Sequence, residues 1–198
     1  MDVLIACEFS QVVQNAFMEL GHNAWSCDID PCEEPNPDYH IEGDMFEAFD
    51  LYHWDLVIAH PPCTALCVSG NRWYSGTKDR TDAVKFVEAI WELEIDKLVI
   101  ENPVGVLNTF SKILPRPYYR QPWHFGHKET KNTGFWSRGL PQLQPTNIVG
   151  PPPQIMSKEE KKTWNRTHRM SPSDRRGKDR SITFEGIALA MADQWGNE

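Results

Sequence analysis

The sequence lacks the features that mark membrane and secreted proteins. No apolar run approaches the ~20 residues that a membrane-spanning helix needs. The N-terminal segment MDVLIACEFS has no basic start and passes directly into an apolar run, so we do not expect a secretion signal. Five cysteines, an odd number outside any secretory context, favour free thiols in a reducing cytoplasm.

The sequence also lacks a known metal-binding pattern. His60, Cys63 and Cys67 lie close together in the stretch HPPCTALC and could be joined by Cys27 or Cys32. Their spacing has no second tight pair of ligands, as zinc fingers require. We therefore predict that the protein binds no metal.

The charge of the chain is unevenly distributed. The net charge is −8, yet residues 157–180 contain nine Lys/Arg and only four Asp/Glu. An acidic body with a basic arm suggests a polyanionic partner that meets one face only. A solvated surface loop would account for the same charges nearly as well.

Apolar runs alternate with amphipathic segments in the first half of the chain. We predict strands at 3–7, 23–27, 54–59 and 97–100, and helices over 12–20 and from a cap at Thr81 to Trp91. This alternation predicts a doubly wound, mostly parallel α/β sheet. Ligands of such sheets bind at the carboxyl ends of the strands.

Other segments have less regular patterns. Residues 31–40 are proline-rich and acidic and predict a loop. The many prolines and aromatics of 112–153 predict short strands or irregular loops at the sheet edge. Residues 150–180 predict a linker and a mobile loop, and 184–195 a final helix.

The stretch HPPC directly follows a predicted strand. Pro61 and Pro62 end that strand, because proline cannot donate to a sheet ladder, and they hold the next residues in a stiff turn. Cys63 on this turn could be a buried filler, a metal ligand or a nucleophile.

Two motifs at strand ends resemble the DNA cytosine-5 methyltransferases. They are Pro62-Cys63 in HPPC and Glu101-Asn102 in IENP, and their order and spacing match that family. The resemblance covers residues 1–146 and resumes at RSITFEGIALAMADQW, and the whole is similar to small phage-type members. It implies a Rossmann-like fold that binds S-adenosylmethionine, with S-adenosylhomocysteine as product, in the cytoplasm of a bacterium or phage-infected cell.

The resemblance also implies a division of the chain. Residues 1–136 would bind the cofactor and carry catalysis, 137–180 would form a reduced, basic target-recognition region, and 181–198 would return as a helix to the catalytic domain. The middle segment is too short for a sizeable recognition domain. Sequence specificity would therefore be short, loose or supplied by a partner.

The implied chemistry explains the choice of residues. A Cys63 thiolate adds to carbon 6 of cytosine and makes carbon 5 nucleophilic toward a methyl group. Glu101 donates a proton to ring nitrogen 3, which requires a carboxyl whose pKa is raised by burial. Lys131 would hold the base carbonyl, in place of the family's missing Gln-x-Arg-x-Arg motif.

On the cofactor side, the resemblance implies a set of contacts at the carboxyl ends of the strands and in the last motif. These residues are Phe9, Ser10, Asp28, Ile29, Asp44, Met45, Pro61, Ser181 and Thr183. A carboxylate such as Asp28 suits the ribose hydroxyls, because its oxygens accept from a diol. The first motif departs from the family, since FSQVVQNAF has Gln11 and Val13 where glycines are usual.

The expected partner is double-stranded DNA with the target cytosine flipped out of the helix. The substrate-binding candidates are Pro62, Asn102, Arg72, Trp73, Arg166, Arg169, Arg175, Arg176 and Arg180, with Lys161 and Lys162 as further phosphate contacts. Aromatic stacking is assigned to Trp73, Tyr74 and Trp164.

Two rival functions remain open. The same chemistry could act on RNA or on a free pyrimidine nucleotide, or a non-catalytic protein could use the fold to hold nucleic acid or cofactor. The role of His60 is open as well, since the family often has glycine there. It could tune the thiol, shape the pocket or fill space.

Overall fold

A seven-stranded sheet organises the protein. A computed structural model describes residues 1–33 and 37–198. The strands are β1 (Asp2–Ala6), β2 (Asn23–Asp28), β3 (His40–Glu42), β4 (Leu56–Ala59), β5 (Leu98–Pro103), β6 (Tyr118–Arg120) and β7 (Thr133–Arg138). Their order in the sheet is β3-β2-β1-β4-β5-β7-β6. Part of the loop predicted at 31–40 lies outside the described residues.

Most of the sheet is parallel. β1 pairs in parallel with both β2 and β4, and β4 pairs in parallel with β5. Only β7 runs antiparallel to its neighbours β5 and β6. The doubly wound, mostly parallel α/β class predicted from the sequence is therefore confirmed.

The helices cover both faces of the sheet. Their bounds are α1 (Val12–Glu19), α2 (Met45–Leu51), α3 (Asn71–Tyr74), α4 (Lys78–Trp91), α5 (Leu107–Phe110), α6 (Lys158–Trp164), α7 (Arg166–Arg169), α8 (Arg176–Ser181) and α9 (Glu185–Trp195), with 3₁₀ turns at Pro37–Tyr39, Val68–Gly70 and Pro122–His124. One core packs α1 and α9 against Val3 and Ile5 of β1. The other packs α2 and α4 against Leu4 and Ala6, because alternate side chains of a strand face opposite sides.

Helix α4 begins earlier than its sequence pattern predicts. The hydroxyl of Thr77 accepts a hydrogen bond from the backbone N–H of Arg80, so Thr77 is the N-cap, and Thr81 lies inside the helix. Asp79 in the first turn also favours this start, because a negative charge stabilises a helix N-terminus. The prediction of a cap at Thr81 was wrong by one turn.

The basic segment is folded, contrary to the predicted linker and mobile loop. Ser157 and Glu160 form a reciprocal capping box that starts α6. At the end of α6, Trp164 is 6% exposed, and its carbonyl accepts hydrogen bonds from the backbone N–H and hydroxyl of Thr130, each 2.9 Å long. Trp164 therefore anchors the segment and is not free to stack on a base as predicted.

Within the described part of the chain, none of the helices combines the length and the apolar character that crossing a bilayer requires.

Candidate active site

A cavity opens at the carboxyl ends of the central strands. The space it encloses, together with the open solvent at its mouth, is about 480 Å³. It is lined by the turn after β1, the turn after β4, the end of β5, Lys131 and residues 180–183. The predicted catalytic residues Cys63, Glu101 and Lys131 all line it.

The turn that carries Cys63 is tied to the end of β5. The side-chain amide of Asn102 donates a 2.8 Å hydrogen bond to the Pro61 carbonyl. The backbone N–H of Val106 donates a 2.8 Å bond to the Leu66 carbonyl. At Gly105, a Cβ would lie 2.0 Å from that same Leu66 oxygen, so only glycine allows the two loops to approach this closely. Cys63 and Glu101 are thus held in a fixed relation.

Arg80 supports the same turn and was missed by sequence reasoning. It is 3% exposed, and its Nε donates a 2.8 Å hydrogen bond to the Ala65 carbonyl. The signal was present in the sequence, because Arg80 precedes Val84 and Val87 by four and seven residues on the buried face of α4. A charged residue on an apolar helix face indicates a buried partner.

Cys63 does not act as an isolated thiol. It shares a side-chain hydrogen bond with Cys67, which lies one turn further along and also contacts the Ser69 hydroxyl at 3.0 Å. That shared bond raises the pKa of Cys63, with burial adding to the rise. The same bond, with Ser69 and the Gly70 N–H, lowers the pKa of Cys67. The negative charge of the pair therefore rests more easily on Cys67.

Glu101 differs from its sequence-based expectation. Burial alone raises the pKa of this carboxyl, but the hydrogen bond from His60, the charges of Lys131 and His60, and a hydrogen bond from Thr133 together outweigh burial. The pKa of Glu101 is therefore below its ordinary value. The predicted upward shift was wrong, because the sequence did not reveal that donors and a cation surround the carboxyl.

Glu8 is a second buried carboxyl at the cavity that the sequence analysis did not identify. It is 4% exposed and accepts hydrogen bonds from the backbone N–H groups of Val13 at 2.8 Å and Gln14 at 3.2 Å. Glu8 thus satisfies the N-terminus of α1, where Gln11 takes a left-handed conformation with φ of 55°. Burial raises the pKa of Glu8.

The predicted cofactor contacts fall into two groups. Phe9, Ser10, Pro61, Ser181 and Thr183 line the cavity. The remaining four lie outside it, at the ends of β2 and β3, namely Asp28, Ile29, Asp44 and Met45.

The residues of that second group have distinct local roles. Asp28 accepts a 3.0 Å bond from the Asp30 N–H, and Asp44 caps α2 by accepting a 2.7 Å bond from the Phe46 N–H. Ile29 is 79% exposed, whereas Met45 is buried in the core.

Helix α8 lies across the end of β2. The ammonium of Lys178 is 2.9 Å from the Asp30 carboxylate and 5.3 Å from the centre of the Phe9 ring. Arg175 forms an ion pair of 2.6 Å with Glu33. The basic arm is thus attached to the acidic strand ends, so part of its charge is neutralised within the chain.

The predicted DNA-contacting residues are dispersed. Pro62, Asn102 and Arg180 line the cavity, although the Asn102 side chain is occupied with Pro61. Arg72 lies 5.0 Å from the ring centre of Trp73, which is 70% exposed.

The remaining arginines lie on the α6–α8 arm. Arg166 pairs with buried Glu129 at 2.9 Å, and exposed Arg169 forms no ion pair within the described residues. Arg176 is half-buried, and its Nε has no hydrogen-bond partner among the described residues.

Metal ligands are not grouped in the described part of the chain. No cluster of three or more His, Cys, Asp or Glu side chains there could hold an ion.

Comparisons with known proteins show similarity at the level of fold. The sequence matches no protein-family model, and it matches no curated protein. A solved methyltransferase of Entamoeba histolytica, EhMeth, is 14% identical over 75% of this chain and 57% of that chain, with a TM-score of 0.50. The Dnmt2 methyltransferase of S. pombe is 13% identical over 87% of this chain and 56% of that chain, with a TM-score of 0.44.

The chain therefore spans somewhat over half the length of these two structures. At such low identity, the similarity to EhMeth concerns the arrangement of the sheet and its helices. The chain has a methyltransferase-like α/β fold, and its chemistry has to be argued from its own residues.

Proposed function

We propose that the protein transfers a methyl group from S-adenosylmethionine to carbon 5 of cytosine in DNA. One observation carries the proposal. Cys63 follows β4 and Glu101 lies in the neighbouring parallel strand β5, both line one cavity, and the Asn102–Pro61 bond holds them together. A nucleophile and a carboxyl held side by side suit a base that must be attacked at one ring atom and protonated at another.

The chain's own residues provide the steps of covalent activation. Cys67, which holds the negative charge of the pair, takes the Cys63 proton, and the resulting Cys63 thiolate bonds to carbon 6. A proton delivered through Glu101 neutralises the charge that develops at ring nitrogen 3. After carbon 5 has been methylated it loses its proton to solvent, and the bond to Cys63 breaks. Nitrogen 3 then returns its proton through Glu101, and Cys63 recovers its proton from Cys67.

The side chains that line the cavity are chemically suited to bind S-adenosylmethionine. The Phe9 ring offers an apolar face, Ser10 and Thr183 offer hydroxyls, and Glu8 offers a carboxyl to an ammonium group. The Asp28 carboxylate at the end of β2 suits ribose hydroxyls. When bound, this cofactor supplies an electrophilic methyl group. Helix α8, held by Lys178 and Asp30, would cover the nucleoside side.

Residues 1–136 carry this chemistry in our proposal, and 137–180 meet the DNA. Arg180 and exposed Pro62 line the cavity. Exposed Trp73 and the basic residues of α6 and α7 lie on the surface outside it. Basic side chains on phosphates would offset the few kcal/mol that flipping a base costs. Residues 181–198 return to the domain, where α9 packs on α1.

The proposal is tested by methyl transfer from tritiated S-adenosylmethionine. We expect label in cytosine-containing duplex DNA with the wild-type protein and none with Cys63→Ala. Stronger labelling of RNA or of free deoxycytidine nucleotide would reassign the substrate. Cofactor binding without transfer to any of these substrates would favour a non-catalytic role and overturn the proposal.

A further inference from the structure

His60 lies where two strand pairings meet. The register pairs Ala59 with Ala6 on one side and with Ile100 on the other, so His60 comes one residue past both pairs. Its backbone N–H donates a 2.9 Å bond to the Ala6 carbonyl, which fixes its position. In the same register Glu101 follows Ile100, and adjacent residues of parallel strands point to the same face. His60 and Glu101 are therefore neighbours by construction of the sheet.

The two side chains are in contact and buried. Nδ1 of His60 is 3.5 Å from Oε2 of Glu101, with the side chains 9% and 11% exposed. Nε2 of His60 is also buried, and no residue among 1–33 and 37–198 is its hydrogen-bond partner. If His60 only filled space, an apolar side chain would serve better, because a buried nitrogen without a hydrogen-bond partner is costly.

The proposed chemistry leaves a proton unaccounted for. Ring nitrogen 3 must receive a proton when the Cys63 thiolate adds to carbon 6. An ionised Glu101 cannot donate one, and the surroundings of Glu101 favour its ionised form. A group that carries a proton and touches Glu101 is therefore required, and His60 is in contact with it.

We propose that His60 is a positioning residue that holds, against the Glu101 carboxylate, the proton destined for ring nitrogen 3. This role rests on the cytosine methylation proposed above and adds a component to that site.

The proton movements balance without any further reactant. As the sulfur–carbon 6 bond forms, the Glu101 carboxylate takes the Nδ1 proton of His60 and passes a proton to nitrogen 3. When Cys63 is expelled, nitrogen 3 returns its proton to Glu101, and Nδ1 of His60 regains its own. The pair therefore carries one proton before and after each cycle.

The charged groups around His60 come from each packed element. Glu8 follows β1 and Glu101 lies in β5, and the carboxyl groups of both lie close enough to interact with the His60 ring. Lys131, just before β7, acts on Glu101 and disfavours further positive charge. Cys63 lies three residues along the same turn and lines the same cavity.

The pairing is tested first without methyl transfer, by ¹⁵N NMR of histidine-labelled protein. The His60 signal is assigned as the one missing in His60→Gln. We expect the Nδ1 signal of His60 to shift in Glu101→Gln, which replaces the charged acceptor by an amide, and to shift little in Lys131→Met, which leaves that acceptor in place. A His60 signal that Glu101→Gln leaves unchanged would overturn the proposal.

The role in turnover is tested by removal and rescue. His60→Gly places the residue common in the related family at this site, and we expect transfer to fall by about 100-fold or more. Added imidazole should restore it, and restoration should be lost at high pH as imidazole deprotonates. The matched control is His53→Gly, at an exposed histidine outside the cavity. We expect this variant to keep wild-type transfer and to be unaffected by added imidazole.

The outcomes separate the two proposals. Full activity of His60→Gly, or loss that imidazole does not restore, would overturn the role of His60 while leaving cytosine methylation intact. Absence of transfer by the wild-type protein would instead refute the proposed function, and the NMR comparison would still decide whether Nδ1 of His60 bonds to Glu101.

Discussion

The side-chain amide of Asn102 donates a 2.8 Å hydrogen bond to the carbonyl of Pro61, and this bond joins the ends of β4 and β5. Pro61 precedes the Cys63 turn and Asn102 follows Glu101. This buried amide is therefore one of the contacts that set the distance between Cys63 and Glu101, together with the Val106–Leu66 bond. Asn102 is 1% exposed, so water does not replace this bond when it is lost.

Asn102→Ala should therefore weaken both the fold and the site. It leaves the Pro61 carbonyl without its donor, which we expect to lower the free energy of unfolding by about 1–3 kcal/mol. Transfer should fall more than stability accounts for, because the turn is no longer held. Urea unfolding and labelling with tritiated cofactor measure the two effects.

Asn108→Ala is the matched control for this change. Asn108 also donates a short hydrogen bond, 2.7 Å to the Tyr119 hydroxyl, but it does so at an exposed position. We expect it to cost little stability and no activity. Equal effects of the two substitutions would contradict a special role for Asn102.

Glu129 anchors the arm that contains α6 and α7. This 4%-exposed carboxylate accepts a 3.0 Å bond from Nε of Arg166 and a 2.6 Å bond from the Thr167 N–H, together with one from the Thr167 hydroxyl. Glu129→Ala should leave these donors unpaired and release the arm. Faster hydrogen exchange across 158–169 is the expected readout by mass spectrometry. Glu159→Ala, on the exposed side of α6, should leave exchange unchanged, and equal exchange in both variants would refute the anchor.

Glu8 should make stability depend on pH. Burial raises the pKa of the Glu8 carboxyl in the folded protein. The contribution of Glu8 to the free energy of unfolding is therefore complete below the ordinary glutamate pKa of 4.5, and it is lost as the pH rises through the pKa of the folded state. Glu8→Gln cannot ionise, so its free energy of unfolding should decline less steeply above that point. Denaturant unfolding over a pH series measures the slope. Exposed Glu19→Gln is the control, and a wild-type slope in Glu8→Gln would contradict this account.

Two arginines of the basic arm should differ in how they affect DNA binding. Arg169 is exposed without an ion pair in the described chain, whereas Arg175 is paired with Glu33. We expect Arg169→Ala to reduce the salt dependence of binding by about one phosphate contact. Arg175→Ala should change it less, because that charge is already partly neutralised. Affinities from fluorescence anisotropy at several salt concentrations give both slopes, and a larger effect for Arg175 would refute the comparison.

The fold and the place of the site could be predicted because they depend on local patterns. The apolar runs predicted the strands, and the prolines after β4 indicated the edge of the sheet at which Cys63 lies. Glu101 could be expected nearby, since parallel strands end at a common edge. These inferences need only the spacing of residues along the chain.

The rest depends on contacts between distant segments. Thr77 and Thr81 are both good caps, and only the folded chain distinguishes them. The Trp164 carbonyl is hydrogen-bonded to Thr130, which lies 34 residues earlier, so the sequence neighbours of Trp164 suggested a free arm. The downward pKa shift of Glu101 comes from His60, Lys131 and Thr133, which three separate segments bring together.

Covalent trapping on DNA that contains 5-fluorocytosine tests the central claim most directly. Fluorine at carbon 5 cannot leave as a proton, so the base should remain bonded to the protein after methyl transfer. We predict a stable adduct, mapped by peptide mass spectrometry to Cys63 and absent from Cys63→Ala, with Cys67→Ala still able to form it. An adduct on Cys67, or one that persists in Cys63→Ala, would contradict the account.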